Sequence, residues 1–110
     1  MAGKFHLKKA NDGQFHFNLN AGNGETILTS ELYKAKDSAL NGIESVRKNA
    51  ARDGAFENKT ASNGKFYFVL KATNGQVIGQ SQMYASASSA SAGIDSVRNN
   101  APGATLNDES

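Results

Sequence analysis

The chain has 110 residues, a formal net charge of +2, 38% hydrophobic residues and no cysteine. That length fits one domain with a modest core, and the absence of cysteine excludes disulfides and thiol chemistry. No apolar run approaches the roughly 18 residues that cross a membrane, and the low charge permits nucleic acid as a partner without indicating it.

Alternation of apolar and polar residues predicts three strands, at 4–9, 14–20 and 25–32. The second strand is the clearest, because Phe15, Phe17 and Leu19 point to one side and polar residues to the other. Turn chemistry separates the strands, with Gly13 before the second and Asn23-Gly24 before the third. We therefore expect a meander of three antiparallel strands.

The facing of the third strand has two solutions. A two-residue Asn-Gly loop pairs Leu19 with Leu28, whereas a three-residue loop pairs Leu19 with Ile27. Because Ile27 returns later as Ile78 while Leu28 is replaced by Gly79, we favour Ile27 as the residue that faces the core.

A helix is predicted at 36–49, with one apolar stripe that should face the sheet. The stripe consists of Ala39, Ile43, Val46 and Ala50. A second stripe, about a quarter turn away, contains Ser38, Gly42, Ser45 and Asn49. A glycine inside a helix costs about 1 kcal/mol relative to alanine, so Gly42 calls for a packing reason.

All of these features return once along the chain. Aligning residue 3 with residue 54 superimposes 3–50 on 54–101 without a gap, including the block Gly-Ile-x-Ser-Val-Arg-x-Asn-Ala. The second helix should begin near the hydroxyl caps of 86–89 and end before Pro102. We predict a single domain over 3–101, made of these two repeats, followed by a disordered tail at 102–110.

The predicted fold is α+β, with two tandem β-β-β-α repeats related by a pseudo-twofold axis. One repeat leaves its apolar sheet face partly uncovered, so two repeats should join edge to edge into an antiparallel sheet of about six strands with both helices on one face. Two explanations account for the second helical stripe. The helices meet there, with Gly42 near Gly93, or the stripe lines a small polar groove for a ligand or peptide.

Four segments resemble the bacterial YegP-like proteins: GNGETILTSELY at 22–33, GI-x-SVR at 42–47, ASNGKFYF at 61–68 and SQMY at 81–84. The resemblance covers nearly the whole chain. It implies a tandem β-β-β-α repeat and brings no activity with it, because that family has no known function.

No pattern of catalytic or metal-binding residues stands out. The repeated serines have no repeated histidine beside them to act as a base. His6 and His16 should lie on the outer sheet face, where two histidines without a third ligand make a weak metal site. We therefore predict no enzyme activity, no metal and no cofactor.

The leading hypothesis is a non-catalytic interaction module, monomeric and without a membrane partner, that binds an unknown protein or small ligand through the sheet face, the exposed edges or the helix flank. Because the first residues lack an apolar signal core, a cytoplasmic location is expected. Arg47 and Arg98 project from the helix flank and are candidate anchors for an anionic partner. The alternative is weak binding of single-stranded nucleic acid by the open sheet face. Its candidate residues are Lys59, Lys65, Tyr67 and Lys71.

Overall fold

The computed structural model describes residues 3–52 and 54–110, which form seven strands and two helices. In chain order these are β1 Lys4–Lys9, β2 Phe15–Asn20, β3 Thr26–Ser30, α1 Lys36–Asn49, β4 Phe56–Thr60, β5 Phe66–Lys71, β6 Val77–Gln80, α2 Ala87–Asn100 and β7 Thr105–Asp108. The strands build one sheet in the order β4-β5-β6-β3-β2-β1-β7. The predicted α+β class and tandem repeats are confirmed.

The two repeats meet where β3 pairs with β6 at the middle of the sheet. The pairing is antiparallel and places Thr29 opposite Gln80, which occupy the same position of the two repeats. Such a pairing of equivalent residues is what a pseudo-twofold axis through the seam produces. Side by side, the two antiparallel meanders supply six of the strands, and one buried core joins both helices to the sheet.

The prediction of a six-stranded, wholly antiparallel sheet is wrong, because the tail adds a seventh strand. β7 pairs with β1 in parallel, with Phe5 opposite Leu106 and Leu7 opposite Asp108. The disordered tail predicted at 102–110 is therefore also wrong. β7 has no buried residue, and its side chains gave no alternation from which a strand could be read.

The favoured pairing of the third strand, Leu19 with Ile27, is wrong as well, although Ile27 is buried in the core as predicted. Leu19 pairs with Leu28 and Asn20 pairs with Thr26, so Ile27 is the extra residue of a β-bulge. The bulge allows Ile27 and Leu28 to be buried together, at 3% and 1% exposure. Both sequence solutions assumed strict alternation, which a bulge interrupts.

The bulge is repeated between β5 and β6, but Gly79 stands where the first repeat has Leu28. A Cβ built on Gly79 would lie 2.9 Å from the Thr29 carbonyl oxygen and 3.2 Å from Leu28 Cγ. The seam therefore has room for one leucine rather than two. This crowding explains why the second repeat has a glycine where the first has a leucine, which is the largest difference in side-chain size between the two third strands.

The helices end and begin largely as the sequence predicted. The Ser86 hydroxyl caps α2 by accepting a hydrogen bond from the Ser89 backbone N–H at 3.1 Å. Of the predicted core stripes, all but one residue are buried, and Ile94 is partly buried against the same core.

Candidate functional site

The helical glycines do not form a seam between the two helices, so the first explanation of the second stripe is wrong. A Cβ on Gly42 would lie 2.5 Å from the Tyr33 hydroxyl oxygen and 3.0 Å from the Phe17 ring. Gly93 faces Tyr84 and Phe68 in the same way. Each glycine makes room for a tyrosine of its own repeat, and the tyrosine ring stacks on the neighbouring phenylalanine at 6.2 Å in both repeats.

The second stripe instead lines a groove beside each tyrosine, as the second explanation predicted. We call the two cavities the tyrosine grooves. Each lies between the helix of one repeat and the β-hairpin of the other, with volumes of about 590 Å³ beside Tyr33 and about 180 Å³ beside Tyr84. Burial, with a smaller contribution from the Glu31 carboxylate, raises the pKa of Tyr33, so its hydroxyl remains a hydrogen-bond donor at neutral pH. A ligand role for these grooves stays a prediction.

Three of the four candidate nucleic-acid residues cluster on the outer sheet face around Glu57. Lys59 lies 3.0 Å from the Glu57 carboxylate and opposite Tyr67 in the sheet, and Lys71 bonds the same carboxylate. These two ammonium groups, Lys71 first, lower the pKa of Glu57 to about 2. Lys65 lies apart, in the turn before β5. The cluster therefore carries less positive charge than the sequence alone indicated.

The two candidate arginines occupy equivalent positions with different surroundings. Arg47 lies over the Phe5 ring at 5.3 Å, bonds Glu44 at 2.5 Å and donates to the Ala104 carbonyl at 2.8 Å. These contacts occupy Arg47 within the protein and tie α1 to the segment that leads into β7. Arg98 lies over the Phe56 ring at the same distance and is exposed.

The outer edges of β1 and β4, which are equivalent strands of the two repeats, also differ in their surroundings. The outer edge of β1 holds β7, through hydrogen bonds such as Thr105 N–H to the Gly3 carbonyl at 3.3 Å and Glu109 N–H to the Leu7 carbonyl at 2.8 Å. β4 corresponds to β1 in sequence and in position, yet within residues 3–52 and 54–110 no strand lies on its outer side.

The backbone of β4 presents hydrogen-bonding groups outward along this free edge. The Ala55 carbonyl accepts from Lys71 and so points toward β5. Because successive residues of a strand direct these groups to opposite sides, the N–H and C=O groups of Phe56 and Asn58 point away from the sheet. They match those of Phe5 and Leu7, which face β7.

A groove accompanies the β4 edge on the helix side, and we call it the β4 groove. Its volume is about 240 Å³. It is lined by Asn58, Lys59, Thr60, Phe66, Ala87, Ala90 and Ser91. In the first repeat the equivalent space is filled, because Leu7 is fully buried there and Leu40 packs against the core. Smaller or more polar residues, Asn58 and Ser91, stand at those two positions of the second repeat.

One of the two histidines, His6, contacts the tail. His6 Nδ1 lies 2.5 Å from the Glu109 carboxylate, and the Lys36 ammonium lies 2.6 Å from the Asp108 carboxylate. These two contacts fix the end of the tail to the first repeat. Among the described residues, no three His, Cys, Asp or Glu side chains come together in a group that holds a metal ion. Within the same part of the chain, neither helix is long and apolar enough to cross a membrane.

Comparison with known families identifies the chain. The family model described as a domain of unknown function (DUF1508) matches residues 10–57 and 61–108. The chain belongs to this family. Each match begins and ends seven residues after the corresponding predicted repeat (10 against 3, 57 against 50), so the first match ends within β4 and the second at the end of β7.

Relatives of this family are similar over their full length. The chain is 76% identical over 110 residues to UPF0339 protein PA0329 of Pseudomonas aeruginosa, covering 100% of both chains. It is 60% identical over 108 residues to UPF0339 protein YegP of Escherichia coli, covering 98% of both.

Two solved structures share the fold. The solution NMR structure of yegP from E. coli, described as a protein of unknown function, matches with a TM-score of 0.93 at 60% identity, over 99% of this chain and 94% of that one. UPF0339 protein SO3888 from Shewanella oneidensis matches with a TM-score of 0.92 at 49% identity, over 98% and 92%. The resemblance to YegP-like proteins is thus confirmed, and the family carries no assigned activity.

Sequence reasoning expected both outer strand edges to be exposed, and it missed that the tail covers β1 and so distinguishes β1 from β4. One signal pointed to the difference: Leu7 and Leu40 of the first repeat become Asn58 and Ser91 in the second. Two apolar losses at neighbouring positions of one edge strand and its helix indicate a less completely filled corner.

Proposed function

We propose that the chain is a non-catalytic binding module that holds an extended segment of a partner protein against the free edge of β4. One observation carries the proposal: the edge of β1 is filled by β7, while no described residue fills the equivalent edge of β4. A free strand edge offers unpaired backbone groups, and added strands are a common mode of peptide recognition.

The side chains of β4 suit an edge that binds a selected partner. Charged Glu57 and Lys59 lie on this five-residue strand, and charges on short edge strands discourage pairing with unrelated chains. Arg98 stands over Phe56 as Arg47 stands over Phe5. A docked strand would therefore find a guanidinium near its first residue, as the tail does.

One pair of the repeated serines, Ser30 and Ser81, supports a role without catalysis. The Ser30 hydroxyl accepts a hydrogen bond from the Phe17 N–H at 2.9 Å and donates to the Glu31 carbonyl at 2.8 Å. Ser81 makes the equivalent bonds to Phe68 and Gln82. Both hydroxyls thus satisfy backbone groups beside a strand. A cytoplasmic location and a monomeric state stay predictions. A monomer is expected because a duplicated domain already supplies the twofold symmetry that a single-repeat homodimer would need.

The test is selection from a library of random extended peptides displayed on phage, followed by NMR titration of the selected peptide. We expect the amide signals of β4 to shift. Asn58→Pro removes an outward N–H without touching the bonds to β5, and edge strands tolerate proline, so this variant should fold and lose binding. Asn58→Ala is the matched control that keeps the N–H and should keep binding.

Selected peptides that shift only the signals of the tyrosine grooves, or that bind Asn58→Pro as well as Asn58→Ala, would contradict the proposal. Single-stranded nucleic acid at Lys59, Lys65, Tyr67 and Lys71 is the alternative. Shifts of these residues on adding a labelled oligonucleotide at low salt, with none from any peptide, would favour it.

A further inference from the structure

The filled edge of β1 is a template for what the free edge of β4 accepts. In the template, β7 runs parallel to β1, and four tail residues lie opposite four residues of the strand, from Lys4 with Thr105 to Leu7 with Asp108. Transferred to the second repeat, four docked residues would lie opposite Ala55, Phe56, Glu57 and Asn58. The chemistry around each of these positions then specifies the partner.

The fourth docked residue has the most altered surroundings. In the template this residue is Asp108, whose carboxylate lies 2.6 Å from the Lys36 ammonium at the start of α1. That ammonium, followed by Ser110, lowers the pKa of Asp108 to about 2. The second repeat has Ala87 in place of Lys36, so a carboxylate docked there would lose its cation.

The space at the fourth position is also larger in the second repeat. Leu7 and Leu40 fill the corner beside Asp108, whereas Asn58 and Ser91 leave the β4 groove of about 240 Å³. The groove has the apolar walls Phe66, Ala87 and Ala90. Burying a large apolar side chain in such a space is favourable, whereas an unpaired charge is costly to bury.

We infer that the β4 edge selects an extended segment of another protein that runs parallel to β4 and places a large uncharged apolar side chain in the β4 groove as its fourth docked residue. The inference rests on the proposed function and adds the orientation and the chemistry of the partner. It also argues against the tail of a second copy of the chain as the occupant, because that tail would bring Asp108 to a corner without Lys36.

The experiment compares two peptides on two proteins by NMR titration at up to millimolar peptide. Both peptides have the sequence of residues 102–110 with Glu109→Gln, and one of them also carries Asp108→Leu. The full-length protein is used as it is and as Ala87→Lys, which restores the cation of the template. Ala87 is exposed, and Ala87→Gln is the matched control that adds length without charge.

On the unaltered protein, the Asp108→Leu peptide should shift the β4 amides and bind about tenfold more tightly than the Asp108 peptide. On Ala87→Lys the difference should shrink or reverse, and on Ala87→Gln it should persist. A spin label at the peptide N-terminus should broaden Phe56 more than Thr60, because the segment runs parallel to β4.

Equal binding of both peptides at β4 on all three proteins would overturn the inferred selectivity and leave strand docking intact. Tighter binding of the Asp108 peptide to the unaltered protein would overturn it in favour of a second copy of the chain. If neither peptide shifts β4 at millimolar concentration, the proposed docking at this edge fails together with the inference.

Discussion

At the scale of single residues, neighbouring positions of the repeated helical block at 42–50 have three different structural roles. Ile43 and Val46 are buried against the sheet, and Gly42 leaves the space that the Tyr33 ring occupies. Asn49 is 8% exposed and donates to the Ser45 carbonyl at 2.8 Å. Both repeats pack a tyrosine under the helix, so the repetition of the block has a structural explanation.

The variant Gly42→Ala tests this explanation of the glycine. Alanine favours the helix by about 1 kcal/mol, but its Cβ would crowd the Tyr33 hydroxyl, and overpacking costs about 1–3 kcal/mol. We expect a lower free energy of unfolding in urea, by about 1 kcal/mol. The double variant Gly42→Ala with Tyr33→Phe should recover part of the loss; additive effects of the two changes would contradict the contact.

The need for space at Gly42 was predictable from the sequence, but its occupant was not. A glycine inside a helix indicates close approach by something, and the sequence placed Gly93 there because the two residues are equivalent. Tyr33 follows β3 outside any predicted element, where periodicity says nothing about the direction of a side chain. The stacking of Tyr33 on Phe17 decides the matter and requires the folded chain.

At the scale of elements, backbone hydrogen bonds and contacts of charged side chains hold the tail strand β7, rather than burial of its own side chains. β7 is exposed along its length, and its contacts are the backbone pairing with β1, the Arg47 bond to the Ala104 carbonyl and two carboxylate contacts. An ion pair joins Asp108 to Lys36, and a hydrogen bond joins Glu109 to His6. The sequence pattern could not reveal β7, because its side chains do not alternate between apolar and polar. The contacts that hold this strand are made with residues distant in sequence.

The tail strand should therefore loosen in acid. Hydrogen bonding to Lys36 lowers the pKa of Asp108 from 3.8 to about 2, and His6 is the main cause that lowers the pKa of Glu109 from 4.5. Both carboxylates bind protons more readily when the tail is undocked. Their contribution to docking is complete above the ordinary pKa values and is lost as the pH falls through the lowered pKa values, which is about 2 for Asp108.

The methyl signals of Leu106 report this change by NMR. They should move between about pH 4.5 and about pH 2 as the carboxylates take up protons. The variant Asp108→Asn with Glu109→Gln is the control, and it should dock less tightly but show little dependence on pH. A Leu106 position in the unaltered protein that stays constant across this range would contradict the role of the two carboxylate contacts.

At the scale of the whole molecule, the duplicated fold is symmetric in the strand pairing at its seam and asymmetric in one seam residue and at its two edges. The central pairing of Thr29 with Gln80 and the repeated aromatic stacks follow from the repeated sequence, and the fold class could be predicted for that reason. The asymmetry has two sources: Gly79 stands at the seam position that Leu28 holds in the first repeat, and a tail strand lies on β1 only among the described residues. Neither source follows from the periodicity of the sequence, because each depends on which part of the sheet other residues already occupy.

The central claim is that β1 and β4 are equivalent edges, one filled by the chain and one open to a partner. The most direct measurement is hydrogen exchange of four repeat-equivalent amides, with and without a peptide selected from the library. We predict protection of Phe5 and Leu7 in both states, since they face β7, and protection of Phe56 and Asn58 only when the peptide is bound. Protected Phe56 and Asn58 amides in the free protein, or amides that remain unprotected with the peptide bound, would contradict the claim.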